Sequence, residues 1–278
     1  MEPIPPDGRP VCMTPFDEAI ALTPQADGRW LGHTHPGWAN QVGPFGGIIA
    51  AQAMNAVLVQ PERLGDPVAL TVNYCAPIAD GPFVARVRAA RTNRSTQHWI
   101  VELEQNGQAV ITATALTAVR RPTWGDDERQ MPAVPRPAEV ALTSRPVTVP
   151  WLERYEMRFV EGEVPTHWDG SEHPASLTRL WVRDRPARAL DAASLAALAD
   201  IFFPRIWLRK ALRVPIGTVT MTVYFHADAA RLAEAGTGYV LGQARGQGFC
   251  GGYFDHAAQL WSEGGALLAT TQQVVYYK

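Results

Sequence analysis

One plan occurs twice in this chain, and it constrains the fold more than any other feature of the sequence. Residues 68–74, 83–89, 99–104 and 109–119 are rich in apolar and β-branched residues, and turn residues such as Asp80-Gly81-Pro82 and Asn106-Gly107 separate them. Such runs predict an antiparallel meander. Just upstream, Phe45, Ile48, Ile49, Ala53 and Val57 share one helical face and Gly43-Pro44 opens the segment, so a helix is predicted over 45–57. The same order then returns. A helix over 191–203, capped by Asp191, precedes strands at 218–225, 239–245, 253–261 and 266–277.

Two local echoes join the copies. Thr71-Val72-Asn73-Tyr74 matches Thr222-Val223-Tyr224-Phe225, and Asn106-Gly107 to Val110 matches Gly264-Gly265 to Leu268, at offsets of roughly 150–160 residues. A chain of 278 residues suits two modest domains. Between the copies, residues 122–150 carry six prolines and little apolar periodicity, the composition of a connector that cannot bury a core. The expected organisation is a loose leader over 1–15, an N-terminal half over 16–121, a proline-rich linker over 122–150, and a C-terminal half over 151–278 whose first strand is 151–160.

Charge and cysteine usage narrow the function classes. A net charge of -2 leaves no broad positive field for phosphate backbones, so nucleic acid is not an expected partner. Cys12, Cys75 and Cys250 are far apart and lack the paired spacing of a zinc ribbon or disulfide framework, which points to a reducing compartment. Cys75 reads as a small core residue of a strand and Cys250 as a turn residue. Residues 1–10 are polar and lack the apolar run of a signal peptide or membrane span. A cytoplasmic protein without a membrane partner is expected.

The two helices differ in one residue type. The first begins Phe45-Gly46-Gly47 and continues with Ala50, Ala51 and Ala53, a surface small enough for a sheet to close tightly around it. The second is apolar on nearly every side from Leu195 to Phe203, the pattern of a buried helix, with Asp200 as its exception. An ionised carboxylate there is costly, because desolvation disfavours its charge and the dipole of a helix C-terminus opposes it. Either the helix ends before Pro204 and Asp200 faces water or caps a neighbour, or Asp200 is a catalytic carboxylate in a semi-apolar cleft.

Taken together, these residues resemble the type II acyl-CoA thioesterase family over about 16–278. The resemblance rests on Gly43-Pro44-Phe45-Gly46-Gly47, Trp151-Leu152-Glu153-Arg154, Ala199-Asp200, and the segments 218–226 and 269–273. It implies an α+β fold of two tandem hotdog folds, each a long helix wrapped by an antiparallel β-sheet. It also implies hydrolysis of an acyl-CoA to free acid and coenzyme A. In that family an Asp on the second helix, a Ser or Thr on the following strand and a Gln on the last strand hold the attacking water; here they match Asp200, Thr218 and Gln273. A carboxylate can take a proton from water, while a hydroxyl and an amide orient that water without competing for the proton. No metal and no cofactor is then needed, coenzyme A being part of the substrate. Backbone N–H groups of Gly46 and Gly47 are candidate donors to the developing oxyanion, provided that the halves pack face to face.

The sequence also departs from the family pattern. Val219-Thr220-Met221-Thr222-Val223 replaces a polar stretch, and Tyr224-Phe225-His226-Ala227 stands where the family carries Trp-Phe-His-Arg. Thr220 and Thr222 would share a strand face with Thr218, and a one-residue slip would exchange Gln273 with Gln272, so both alternatives stay open. Exposed sheet edges would encourage a homo-oligomer.

Other constellations carry less. Gly246-Gln247-Gly248-Phe249-Cys250-Gly251 fits G-x-G-x-x-G, yet no βαβ unit surrounds it and a turn is expected. His33 and His35 share a strand face without a third metal ligand. His98, His226 and His256 read as packing or hydrogen-bonding residues, and there is no G-x-S-x-G elbow. Arg205, Arg209 and Lys210 read as a solvated, dipole-compatible helix end. Two rival functions remain: an enoyl-CoA hydratase or dehydratase, which would need a His–Asp pair, and a non-catalytic acyl-CoA or lipid-binding module.

Overall fold

A computed structural model describes residues 13–143 and 148–278. Most of the expected leader, with Cys12, and linker residues 144–147 lie outside the described residues. The first half comprises α1 (Pro15–Ile20), the short strands β1 (Thr23–Pro24) and β2 (Trp30–His33), the helix α2 (Gly46–Leu58), and four long strands. These are β3 (Asp66–Tyr74), β4 (Pro82–Thr92), β5 (Thr96–Gln105) and β6 (Gln108–Ala118). The second half opens with a 3-10 turn at Pro150–Arg154, then β7 (Tyr155–Glu161), β8 (Thr178–Asp184), α3 (Ala192–Leu198) and α4 (Arg205–Lys210). It ends with β9 (Ile216–Phe225), α5 (Ala229–Ala235), β10 (Val240–Arg245), β11 (Phe249–Cys250), β12 (Tyr253–Ser262) and β13 (Leu267–Tyr277). No helix among the described residues is long and apolar enough to cross a membrane.

The long strands form one antiparallel sheet in the order β1-β2-β4-β5-β6-β3-β9-β13-β12-β10-β8-β7. Outward from the β3–β9 seam the order reads β3-β6-β5-β4-β2 on one side and β9-β13-β12-β10-β8 on the other, the signature of two hotdog units joined edge to edge. The echo residues Thr71 and Thr222 are directly paired at that seam, and their hydroxyl oxygens lie 3.0 Å apart. Pairing at the seam removes one exposed edge from each unit.

Helices α2 and α3 pack against each other inside the curve of this sheet, and small residues set their separation. A Cβ at Gly47 would stand 2.5 Å from the Ala197 carbonyl oxygen, closer than any side chain tolerates, so only glycine fits there. Around them Ile48, Met54, Leu70, Val72, Leu195, Leu198, Met221 and Val223 are all buried.

Several sequence expectations are corrected. The second helix stops at Leu198, short of 203: the N–H groups of Asp200 and Ile201 bond to Ala197 and Leu198 at 3.1 and 3.3 Å, tightening the last turn. Pro204, which has no N–H and disfavours helical backbone at Phe203, bars any continuation and caps α4 instead. The strand expected from 151 starts at Tyr155, because Pro150 opens a 3-10 turn. Cys75 lies just past β3 and is exposed rather than in the core. Arg205 is not a solvated helix end: its side chain is buried and donates to the Ser176 carbonyl and the Thr178 hydroxyl, each at 2.7 Å. Burial pulls its pKa down to about 9.

The linker has more packing than its composition suggests. Met131, Val134 and Val140 lie on a second apolar cluster of Trp181, Tyr239, Leu241, Trp261 and Leu267. Alternation along β10, with Val240 in the main core and Leu241 in this cluster, places that cluster on the face of the sheet turned away from α3. The indoles of Trp181 and Trp261 donate to the carbonyls of Pro135 and Arg129 at 2.9 and 3.2 Å, which fixes the segment there.

Candidate active site

Asp200 is set where the chain leaves α3 and meets the N-terminus of α2. A Cβ at Gly46 would stand 2.6 Å from Asp200 Oδ2, so the absence of a side chain at Gly46 makes room for the carboxylate. Gln273 of β13, itself only 2% exposed, donates from Nε2 to Asp200 Oδ1 at 2.8 Å. Burial raises the Asp200 pKa to about 7, against the opposing pull of the Gln273 amide and the Gly47 N–H. Asp200 as a residue is partly accessible and lines the cleft. It can therefore be ionised near neutral pH and still accept a proton from a molecule in front of it.

A bulge decides which threonine faces the cleft. Gln273 pairs with Met221 and Val274 with Thr220, but the next pair is Val275 with Thr218, which leaves Val219 as an extra residue on β9. The extra residue breaks the strict alternation that would have put three threonines on one face. Thr218 lines the same cleft as Asp200 and Gln273. Thr220 donates instead to Val72 O at 3.2 Å and Asn73 Oδ1 at 3.0 Å, and Thr222 meets Thr71. On β13, Gln272 is exposed on the outer face while Gln273 is buried against Asp200.

The two glycines are close to the carboxylate but do not play the same part. The Gly47 N–H supports Asp200 itself, and the Gly46 carbonyl accepts a hydrogen bond from the Tyr74 hydroxyl at 2.9 Å. The start of α2 thus presents its partial positive end to the acid of the other half.

The cleft in front of these groups has a volume of about 1820 Å³ and lies between the halves. Its walls are strongly aromatic, with Phe45 and Trp151 stacked at 4.2 Å from opposite halves and Phe159 stacked on Phe203 at 5.9 Å. Such a volume exceeds the roughly 300–1,000 Å³ typical of small-molecule pockets and suits a long, partly apolar ligand.

Tyr155 carries no signal in the sequence, and His256 reads there as a packing or hydrogen-bonding residue. Tyr155 and His256 both line the cavity, and both have a buried polar atom, the Tyr155 hydroxyl and His256 Nε2, with no hydrogen-bond partner among the described residues. His256 packs edge to face against Phe202 at 5.3 Å between centroids, in keeping with its reading as a packing residue. Its position in β12 is in step with the buried Phe254, Ala258 and Leu260. His35, by contrast, accepts the Gly37 N–H on Nδ1, and among the described residues no three His, Cys, Asp or Glu side chains cluster as a metal would need.

Comparison with known proteins adds the following. Residues 34–118 match the family model of the acyl-CoA thioesterase N-terminal domain, and residues 126–277 that of the acyl-CoA thioesterase C-terminal domain. The second match begins inside the proline-rich segment. No curated protein matches the chain. Among solved structures, a conserved protein of unknown function with a hot dog fold from Alicyclobacillus acidocaldarius is 45% identical, with a TM-score of 0.91 over 96% of this chain and 98% of that one. A putative thioesterase II from Thermobifida fusca is 20% identical, with a TM-score of 0.81 over 96% and 99% of the two chains. An acyl-CoA thioesterase II from Mycobacterium marinum is 17% identical, with a TM-score of 0.73 over 95% and 98%. The last two similarities speak to the fold alone.

Proposed function

This chain belongs to the acyl-CoA thioesterase family, and we propose that it hydrolyses an acyl-CoA to free acid and coenzyme A with water activated at Asp200. The observation that carries this reading is a carboxylate with its pKa raised to about 7, held by Gln273 and Gly47, at the edge of a cleft shared by both halves.

Ionised Asp200 takes a proton from water as the water oxygen attacks the thioester carbon. The tetrahedral intermediate then collapses, the C–S bond breaks, and the proton on Asp200 returns to the departing sulfur. Gln273 uses its N–H on Asp200, which leaves its carbonyl oxygen as an acceptor for the second proton of the water. The Thr218 hydroxyl completes the set that orients the nucleophile. With the Gly47 N–H engaged by Asp200, the Gly46 N–H is the donor at the start of α2 that can meet the oxyanion. As written, the reaction uses no metal and no redox cofactor, and acyl-CoA is the only partner it needs. A cytoplasmic setting goes with such a substrate.

The rival hydratase chemistry would require a histidine coupled to the acid. His256 enters the cleft, but its Nε2 is unpartnered and Asp200 is held by Gln273, so that couple is not assembled.

Free-thiol release from short, medium, branched and aromatic acyl-CoAs tests the reading, with folded Asp200→Asn run alongside. Turnover of at least one thioester, lost by roughly 10² to 10⁴ in the variant, is the expected result. Binding of acyl-CoA without thiol release would replace it with a non-catalytic binding module.

A further inference from the structure

We propose that Tyr74 of β3 is a positioning residue, whose hydroxyl fixes the Gly46–Gly47 peptide so that its N–H stays aimed at the Asp200 carboxylate. The proposal rests on the hydrolysis of acyl-CoA at Asp200 and adds to it a residue of the other half that acts through the backbone of α2.

One amide joins the two side chains. The Tyr74 hydroxyl donates to the Gly46 carbonyl oxygen at 2.9 Å, and the Gly47 N–H supports Asp200. That carbonyl and that N–H belong to the same planar peptide unit, so a group that holds one end orients the other. The bond also polarises the amide, because hydrogen bonds in series strengthen one another. A tyrosine has a single proton to give. Here it goes to Gly46 rather than to the carboxylate, although a Cβ at Gly46 would stand 2.6 Å from Asp200 Oδ2 and 3.5 Å from the Tyr74 hydroxyl.

The start of α2 needs a hold from outside the helix. Phe45 at the N-cap offers no side-chain hydrogen bond, and the first two helical residues are both glycine. Glycine is the weakest helix former after proline, and a first turn without a capping side chain frays. Neither glycine can give way to a better helix former: Gly46 makes room for Asp200, and a Cβ at Gly47 would stand 2.5 Å from the Ala197 carbonyl oxygen. Tyr74, the last residue of β3, supplies from the sheet the restraint that a cap would otherwise give.

The phenol remains a donor throughout the working pH range. Burial and the Asp200 charge push its pKa well above the usual value, so it stays protonated. Burial and the Asp184 and Asp200 carboxylates do the same to Tyr155 of β7, while burial and Arg205 keep His256 of β12 neutral. Cys75, Glu153, Arg154, Glu163, Arg185 and Arg213 also line the cleft. The Asp200 pKa of about 7 follows burial first, opposed by the Gln273 amide and the Gly47 N–H. Loosening that N–H removes support from the charged form and raises the pKa further.

The test records kcat and KM against pH for thiol release by wild type and Tyr74→Phe, which keeps the ring and removes only the hydroxyl. The acidic limb of kcat/KM should move up by roughly 0.5 to 1 pH unit, a loss of about 3- to 10-fold at about pH 6. KM should stay near wild type, and the plateau above about pH 8.5 within about 3-fold. A limb that stays in place or moves down, whatever happens to rate, KM or melting temperature, overturns the proposal while leaving hydrolysis at Asp200 intact. Should Tyr74→Phe fail to fold, or should no thioester be turned over and the hydrolysis reading fall, resonances of wild type decide. The Gly47 amide proton and the Tyr74 ζ carbon should titrate together with Asp200, at a midpoint of about 7. A Gly47 amide or a Tyr74 carbon that does not follow that titration overturns the proposal.

Discussion

The two halves share a topology but engage their buried glutamines differently. In the N-terminal half, Gln52 of α2 donates to the carbonyls of Ala19 and His33 at 2.8 and 3.2 Å, and Gln97 of β5 accepts the Leu64 N–H at 2.7 Å. These amides tie local backbone together. In the C-terminal half, the buried amide of Gln273 reaches an ionisable side chain, and Asp200 and His256 both front the cleft. The helices differ in the same sense: α2 runs unbroken for 13 residues, whereas α3 ends after 7 and releases Asp200 from the helix. A buried polar group spent on backbone builds the fold; one matched to another functional group at a cavity wall is available for chemistry.

Equivalent changes in the two halves should therefore have unlike consequences. Asp200→Asn should remove roughly 10² to 10⁴ of turnover in the thiol-release assay with little change in melting temperature. Gln52→Leu should do the reverse, lowering stability by about 1–3 kcal/mol in denaturant titration because two carbonyls lose their donor, with turnover per folded molecule near wild type. Next in size is Gly46→Ala: the new methyl would need the space of Asp200 Oδ2, at 2.6 Å. Displacing the carboxylate by about 1 Å should lower kcat by up to about 100-fold. Gln273→Leu, which removes a bond favouring the charged carboxylate, should cost about 10-fold near neutral pH and move the activity limb to higher pH. Gln97→Leu, at a buried glutamine of the other half, should move neither. The smallest contrast is Thr218→Val against Thr220→Val. A loss of about 3- to 10-fold is expected for the first and almost none for the second, read as kcat under saturating substrate.

Much of this was legible in the sequence, for identifiable reasons. The strands of both meanders alternate against one core, and the repeat placed them twice. Strand β8 was missed because its two faces are both covered, one by the core and one by the linker, so Leu180, Trp181 and Val182 are all buried and the period of two is lost. The linker's role was hidden for the complementary reason: Met131, Val134 and Val140 are scattered among prolines and find their partners only on a sheet built later in the chain. Asp200 stood out as one charge in an apolar run, and Gln273 stood out by resemblance. The bulge at Val219 depends on the register of β13 against β9, which no single strand carries in its own residues. The place of His256 opposite Gln273 was not legible, because it depends on the register of β12 against β13.

The pH dependence of kcat/KM, in wild type and Asp200→Asn, tests the central claim most directly. Asp200 must be ionised to accept a proton, and its pKa is raised to about 7, so activity should climb about tenfold per pH unit below that value and level off above it. The limb should be absent from the residual activity of Asp200→Asn. A wild-type profile flat from about pH 5.5 to 8.5, or a limb near 7 that persists in the variant, would contradict the account.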